Sequence, residues 1–376
     1  MLSSISSVPS LKGKRVLVRT SFNVPIAGGI VQDDTRIKGA LPTITLLREK
    51  GARVVLISHV SEGESGSLRP VFEYIKKDMP VQFIEEIFSS AAQTILNGMQ
   101  DGDLVLCENI RIYPEEEKNN DEFAQKIAAL FDFYVNDDFT VAHREHATIV
   151  SLPKYLKSYM GLQFEKEVKY LSLACDPERP AFCIMGGAKP ETKIPLAAHL
   201  AGKFDYIFMG GISANILLKA KGYEVGKSVT SDSVISTEKI LSGQNVLLPV
   251  DVQVRTETGE CLIKNTSEVE EGDIILDAGP ETIECIRTYI QSSAFVLWNG
   301  PLGDYEKGFF DATIAVGNFI AAPGVRSIIG GGDTIAALGK HGLLDQFTFV
   351  STAGGAMIQY LTDGTLPGIE ALKEKE

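Results

Sequence analysis

Short apolar runs alternate with amphipathic stretches along most of the chain. Arg15 to Phe22, Ala52 to Ser58, Val81 to Ile84, Leu104 to Cys107 and Phe133 to Val135 are apolar and β-branched, which predicts strands. Thr35 to Lys50, Leu68 to Lys77, Ala91 to Met99 and Asp121 to Phe131 carry apolar residues at helical spacing, and Pro42 marks a kink or an end in the first. This alternation predicts an α/β fold with a mostly parallel sheet covered on both faces. From Gln163 to Ala174 the pattern is helical with no strand signal, and Asp176-Pro177-Glu178-Arg179-Pro180 then reads as a boundary loop after an interdomain helix. Beyond it the rhythm resumes at Phe182 to Met185, Tyr206 to Met209, Phe295 to Trp298, Ser327 to Ile329 and Phe347 to Val350.

A length of 376 residues is more than one core usually organises, so two domains are expected. The net charge of −13 argues against nucleic-acid or anionic-membrane partners, so an anionic ligand must be met by a local basic cluster. No apolar run is long enough to span a bilayer and Met1 to Lys14 lacks a signal-peptide core, which makes the cytoplasm the expected location. The five cysteines form no C-x-x-C pair and are expected to be buried free thiols.

Ligands of parallel sheets bind beyond the carboxyl ends of the strands, so the residues that follow each run carry the candidate chemistry. In the first half these are Ser21-Phe22-Asn23, His59, Glu108-Asn109-Ile110-Arg111 and Asn136-Asp137-Asp138 leading to His143-Arg144-Glu145-His146, with Arg36 early in the first helix. Arginines gathered this way suit a small molecule bearing phosphate or carboxylate. His143 and His146 lack a third ligand at zinc spacing. In the second half the strands end in glycine-bearing turns: Gly186-Gly187-Ala188-Lys189, Gly210-Gly211, Asn299-Gly300-Pro301, Gly330-Gly331-Gly332-Asp333-Thr334 and Ala353-Gly354-Gly355. Glycines let backbone approach a phosphate, a helix predicted from Thr334 to His341 offers its N-terminus to negative charge, and Asp333 offers a hard oxygen to Mg²⁺. A tight turn with Asp333 as N-cap explains the same residues. Lys189 and Lys193 stand one turn apart at an expected helix start, which would point both ammonium groups to one crevice; two surface lysines are the plainer reading. Neither G-x-x-x-x-G-K-[ST] nor G-x-G-x-x-G occurs.

Together these residues resemble the phosphoglycerate kinase family, nearly end to end. The resemblance is carried by Phe22-Asn23-Val24-Pro25, Asp33-Asp34-Thr35-Arg36, Glu108-Asn109-Ile110-Arg111-Ile112-Tyr113-Pro114, Trp298-Asn299-Gly300-Pro301 and Gly330-Gly331-Gly332-Asp333-Thr334. It implies two doubly wound, Rossmann-like domains: 1–162 for 3-phosphoglycerate, an interdomain helix 163–175, 176–354 for nucleotide, and 355–376 packing back on the first domain. It implies acceptor binding by Ser21, Asn23, Arg36, His59, Arg111 and Arg144. Nucleotide, ATP or ADP, falls to Gly186, Gly187, Lys189, Gly210, Gly211, Asn299, Pro301, Glu306, Gly331, Gly332, Asp333 and Thr334, with Asp333 at Mg²⁺. Arg36, Lys189 and Lys193 come nearest the transferred phosphoryl group, a hinge closure brings the ligands together, and the protein is a cytoplasmic monomer with small-molecule partners only.

The pattern also departs from that family. Ser21 stands where the family has aspartate, and His59-Val60-Ser61-Glu62 where it has His-Leu-Gly-Arg. A glutamate about 6 Å from a bound anion would cost roughly 3 kcal/mol at an effective dielectric near 20, unless Arg69 reaches in instead. Ile212 and Ala353 replace glycines, and Thr140 and Asp304 are further substitutions. The expected activity is Mg-dependent phosphoryl transfer between ATP and the carboxylate of 3-phosphoglycerate; the alternative is a divergent homologue, weakened or silent in transfer, that binds nucleotide or partners.

Overall fold

Strands whose side chains are apolar on both faces can only be central strands of a covered parallel sheet, and the chain builds two of them. The computed structural model describes residues 2–61, 66–231 and 235–373. The chain divides into two units, the first comprising residues up to Lys169 together with those from Thr365 on, the second running from Tyr170 to Gly364.

The sheet of the first unit runs Gln82–Ile84, Leu104–Cys107, Arg53–Ile57, Arg15–Arg19, Phe133–Asn136 and Lys157–Met160, with every pairing parallel. The chain builds one side of the sheet from Arg15–Arg19 first, with Gln82–Ile84 at the edge outside the later Leu104–Cys107, and then resumes on the other side with Phe133–Asn136. A crevice therefore opens between the carboxyl ends of these two neighbours, which is where such sheets bind ligands. Val16, Val18, Leu56, Leu106 and Val135 pack the core against the helix Thr35–Glu49, which continues through Pro42 without ending. The strand Lys157–Met160 was not anticipated, because Lys157 and Ser158 break its apolar run at the sheet edge.

In the second unit the order is Val246–Leu247, Tyr206–Met209, Ala181–Met185, Phe295–Asn299, Arg326–Gly330 and Phe349–Ser351, again parallel throughout. The corresponding crevice lies between the ends of Ala181–Met185 and Phe295–Asn299. Phe182, Ile184, Val296, Ile329 and the fully buried Trp298 centre the core. An unanticipated antiparallel sheet of Cys261–Asn265, Asp251–Arg255 and Ile274–Ala278 completes this unit.

Two expectations change. The segment that joins the first unit begins at Thr365 rather than 355, since the helix Gly355–Asp363 belongs to the second unit, where Met357 packs against Asn299. All five cysteines are free, yet only Cys107 and Cys183 are buried and Cys261 is exposed, because it lies on the outer strand of the antiparallel sheet. Glu62 lies outside the described residues. Arg69 does not reach inward: its guanidinium lies 4.6 Å over the Phe83 ring and pairs with Glu85.

Candidate active site

At the carboxyl end of Arg15–Arg19 the backbone delivers a charged side chain into the protein interior. Arg19 is fully buried. Its Nη1 donates to Asp138 Oδ2 at 3.0 Å and to the Thr20 carbonyl at 2.8 Å, and its Nε donates to Thr148 Oγ1 at 3.3 Å. Thr148 sits on the π-helical turn Ala147–Ser151 and donates in turn, hydroxyl and backbone N–H, to the two oxygens of buried Glu116. Burial raises the Glu116 carboxyl above its ordinary value, opposed by Arg19 and Thr148. Every arm of a buried charge is thus hydrogen-bonded, without which such burial would be prohibitive.

The second Arg19 amine, Nη2, lies 2.9 Å from His59 Nδ1. A guanidinium has no lone pair to offer, so Nδ1 must accept and the imidazole proton resides on Nε2. Burial, and then the guanidinium groups of Arg19, Arg111, Arg144 and Arg36, hold His59 far below its ordinary value, so it is neutral. His59 is therefore a fixed donor through Nε2, held by Arg19 and within the field of three further arginines. His146, buried beside Arg111 and Arg144, is pushed down to about 4 by the same causes, and its Nδ1 has no partner.

The surrounding loops are cross-tied. Arg36 Nη1 donates to the Asn23 carbonyl, and Asn23 Oδ1 accepts from the Ser61 N–H at 3.0 Å. Arg111 Nη1 donates to Ser61 Oγ at 3.0 Å, whereas Nε lies 3.2 Å from Glu117 without hydrogen-bond geometry and Nη2 is buried without a partner. Arg144 is exposed. Ser21 Oγ lies 3.2 Å from Thr140 Oγ1, whose hydroxyl reaches Asp138 Oδ1 at 2.6 Å. All the arginine and histidine candidates of this half are thus gathered at one sheet end. Sequence reasoning placed Asp138 at its strand end but missed Arg19 and Thr148 and the pairing of Asp138 and Glu116 with them; an arginine closing an otherwise apolar strand was the available signal.

The second unit's crevice is built of backbone. Gly186 N–H donates to the Asn299 carbonyl at 2.9 Å and Gly187 N–H to that of Pro301 at 2.8 Å. A Cβ on Gly186 would lie 2.1 Å from the Pro301 oxygen, and one on Gly300 2.1 Å from the Gly186 oxygen. These glycines let two strand-end loops seat on each other, so the amides of Gly186 and Gly187 are not free donors as expected. Thr334 Oγ1 accepts from Gly300 N–H at 3.0 Å and fastens the third loop to the second.

Beside these loops lies a cavity of about 300 Å³ lined by Gly187, Gly210, Gly211, Pro301, Glu306 and Asp333 among the expected residues, and by Ile212, Leu218, Val229 and Val252, which were not expected. Its apolar wall with a few polar groups has the character of a small-ligand site. Gly186, Asn299, Thr334 and Lys193 stand outside that lining, as do Lys189, Gly331 and Gly332. Gly331, in the left-handed region with φ of 95°, links the strand Arg326–Gly330 to the helix Gly332–Lys340 and leaves that helix without a side-chain cap, so its N-terminus is open. Apart from its chain neighbours and its own helix, nothing lies within 4 Å of where a Cβ on Gly332 would be.

Lys189 and Lys193 do not share a helical face. Lys189 precedes the helix Pro190–Leu200 and is exposed, while Lys193 is buried with Nζ donating to the Asn299 carbonyl at 3.0 Å and to Asn299 Oδ1. Burial pushes the Lys193 ammonium down to about 7. Among the described residues no three His, Cys, Asp or Glu side chains form a metal-binding group, and no helix is long and apolar enough to cross a membrane.

Comparison with known proteins agrees with this geometry. The phosphoglycerate kinase family profile matches residues 5–364. The phosphoglycerate kinases of Caulobacter vibrioides and Dictyoglomus turgidum are 41% and 40% identical, with 96% and 97% of this chain and 97% of each relative covered. The solved phosphoglycerate kinase of Coxiella burnetii superposes with a TM-score of 0.88 at 35% identity over 99% of both chains, and that of Pyrococcus horikoshii with 0.88 at 29% over 99% of this chain and 98% of its own. With a crevice of charged side chains in one unit, a cavity-flanked glycine crevice in the other and relatives matched end to end, the chain belongs to the phosphoglycerate kinase family, kinases that transfer phosphate to a carboxylate.

Proposed function

We propose that the first unit's crevice binds 3-phosphoglycerate and the second unit's binds ATP or ADP, and that each residue acts as follows. Arg36, Arg111 and Arg144 engage the acceptor's phosphate and carboxylate, with the unpaired Arg111 Nη2 and His146 Nδ1 as open polar positions. His59 donates from Nε2 and adds no charge. Asn23 holds Arg36 through its carbonyl, and Ser21 ties the same loop to Thr140. The base of the nucleotide enters the apolar cavity, and its phosphates lie at the N-terminus of Gly332–Lys340, where the space above Gly332 is open.

The donor set fits a Mg²⁺ that arrives with the nucleotide. Asp333 gives one exposed carboxylate beside the cavity, in keeping with an ion whose remaining ligands are phosphate oxygens and water rather than a protein cage. When bound, Mg²⁺ neutralises charge on the phosphates. The acceptor carboxylate is already ionised at neutral pH, so the chain needs no general base, and its task is to align two anions and balance their charge. Lys189 offers an exposed ammonium to the transferred group. Lys193, half-neutral near pH 7 while tied to Asn299, takes up a proton as phosphate approaches, since a nearby anion raises an ammonium's proton affinity.

The observation that carries this reading is a neutral His59 held by buried Arg19 and lying in the field of Arg36, Arg111 and Arg144, a site for a small molecule with two anionic groups rather than for a metal or a base. A coupled assay with ATP, Mg²⁺ and 3-phosphoglycerate is expected to show turnover that falls by about a thousandfold or more in Arg36→Ala. Turnover unchanged in that variant, or absent from the parent, would overturn it.

A further inference from the structure

Three side chains on two strand-end loops form one line of hydrogen bonds with a carboxylate at one end. Thr140 has a single hydroxyl proton, and at 2.6 Å from Asp138 Oδ1 that proton goes to the carboxylate. Ser21 Oγ, 3.2 Å from Thr140 Oγ1, is then the donor to Thr140. The other oxygen of Asp138 accepts from Arg19, and Arg19 donates to His59 Nδ1. Asp138 and Arg19 are both fully buried. The carboxylate thus sets two things: the direction of the serine–threonine pair, and the place of the arginine that dictates the imidazole tautomer.

We propose that Asp138 is the positioning carboxylate of the acceptor crevice, anchoring Arg19 so that His59 presents its Nε2 proton to the bound acid, and supplying from its own loop the carboxylate that position 21, a serine in this chain, does not. The proposal rests on reading this crevice as the 3-phosphoglycerate site. It explains how Ser21 is accommodated: the hydroxyl is a terminal donor in a chain whose acceptor end lies at Asp138, so no carboxylate is wanted at 21. It also assigns the pair a reversible polarity. In Asp138→Asn an amide oxygen can still accept from Arg19, but the amide nitrogen now faces Thr140 and drives its hydroxyl toward position 21, where Ser21 has no charge to receive it. In the double variant Ser21→Asp with Asp138→Asn, asparagine donates to Thr140 and Thr140 donates to the new aspartate, which satisfies every group again. In Ser21→Asp alone, two carboxylates compete for one threonine proton at short range, which is unfavourable for both.

Steady-state kinetics on the full chain, with thermal melting of each variant, test this. Asp138→Asn is expected to raise KM for 3-phosphoglycerate about tenfold while KM for ATP stays within about twofold, Ser21→Asp alone to raise it comparably, and the double variant to return to within about threefold of the parent. Two harmful changes that cancel when combined would not arise from general loosening of the fold. Double-variant KM no better than that of Asp138→Asn, an equal rise in both KM values, or no rise at all would overturn the proposal. Nitrogen-15 spectra of the histidine rings, with His59 assigned through His59→Gln, give a readout that needs no turnover. The proton is expected on Nε2 in the parent and lost from that fixed position in Asp138→Asn; a parent His59 protonated on Nδ1 would overturn the inference. A parent without turnover would defeat the functional reading while the spectra still decide the role of Asp138.

Discussion

At the end of Arg15–Arg19 the first unit buries charge, whereas at the topologically equivalent end of Ala181–Met185 the second buries peptide groups. The first crevice is closed by Arg19, Asp138, Glu116 and His59, long side chains whose hydrogen bonds cross between loops. The second is closed by Gly186, Gly187 and Gly300, whose missing side chains let carbonyl and N–H groups of neighbouring loops meet directly. On the proposed assignment of 3-phosphoglycerate to the first crevice and nucleotide to the second, the difference follows from what each would hold. A compact acid with charges at both ends is gripped by separate cations, each aimed by its own partner. A nucleotide needs room for its base and an open helix terminus for its phosphates, and side chains would fill that room. One crevice is therefore sensitive to charge and the other to volume.

Volume can be added where the second crevice has none. Gly186→Ala puts a methyl group 2.1 Å from the Pro301 oxygen, so the two loops must part. A loss of about 3 kcal/mol or more in unfolding free energy is expected by denaturant titration, with nucleotide affinity falling alongside. A variant of parental stability would show that these loops do not depend on direct backbone contact.

Gly332→Ala separates packing from binding. The protein leaves open space at that Cβ, so stability is expected to change by less than about 1 kcal/mol, while KM for ATP rises roughly tenfold as the methyl meets a phosphate. Unchanged KM would mean the nucleotide's phosphates lie elsewhere.

A pH-dependent effect, which vanishes in acid, sharpens the charge side of the comparison. Asp137, fully buried beside Asp138, accepts from the N–H groups of Gln163 and Phe164 at the start of the helix Leu162–Cys175, and burial raises its carboxyl from 3.8 to about 7. The neutral form is thus favoured in the fold: the stability it contributes is complete below the ordinary carboxylate value and is lost as pH rises through about 7. Asp137→Asn keeps an oxygen for both N–H groups and never ionises. It is expected to gain about 2 kcal/mol over the parent at pH 8, shrinking toward nothing by about pH 4, in denaturant unfolding at each pH. A gain independent of pH would assign the effect to packing.

Much of this was legible in the residues because burial on both faces writes strands as apolar runs, and a parallel sheet puts chemistry just past their ends. His59, Arg111, Asp138 and the glycine turns fall there by that rule alone. What stayed hidden was pairing. Arg19 and Asp138 stand 119 residues apart, and nothing local says that the last residue of one strand finds its counter-charge after another. The glycines misled for a related reason: a turn that looks free to cradle phosphate at Gly186 had already given its N–H to Asn299. Lys193 looked like a partner of Lys189 until the helix start fell between them. Lys157–Met160 and Cys261–Asn265 escaped because edge strands with polar or exposed residues lack the apolar run.

The division of labour between the crevices is tested most directly by calorimetric titration of Arg36→Ala and Gly332→Ala, each with 3-phosphoglycerate and with Mg-ADP. Crossed losses are expected: Arg36→Ala weakens 3-phosphoglycerate by about a hundredfold and leaves Mg-ADP within about twofold, and Gly332→Ala weakens Mg-ADP alone. Loss of Mg-ADP binding in Arg36→Ala equal to its loss of 3-phosphoglycerate would contradict it.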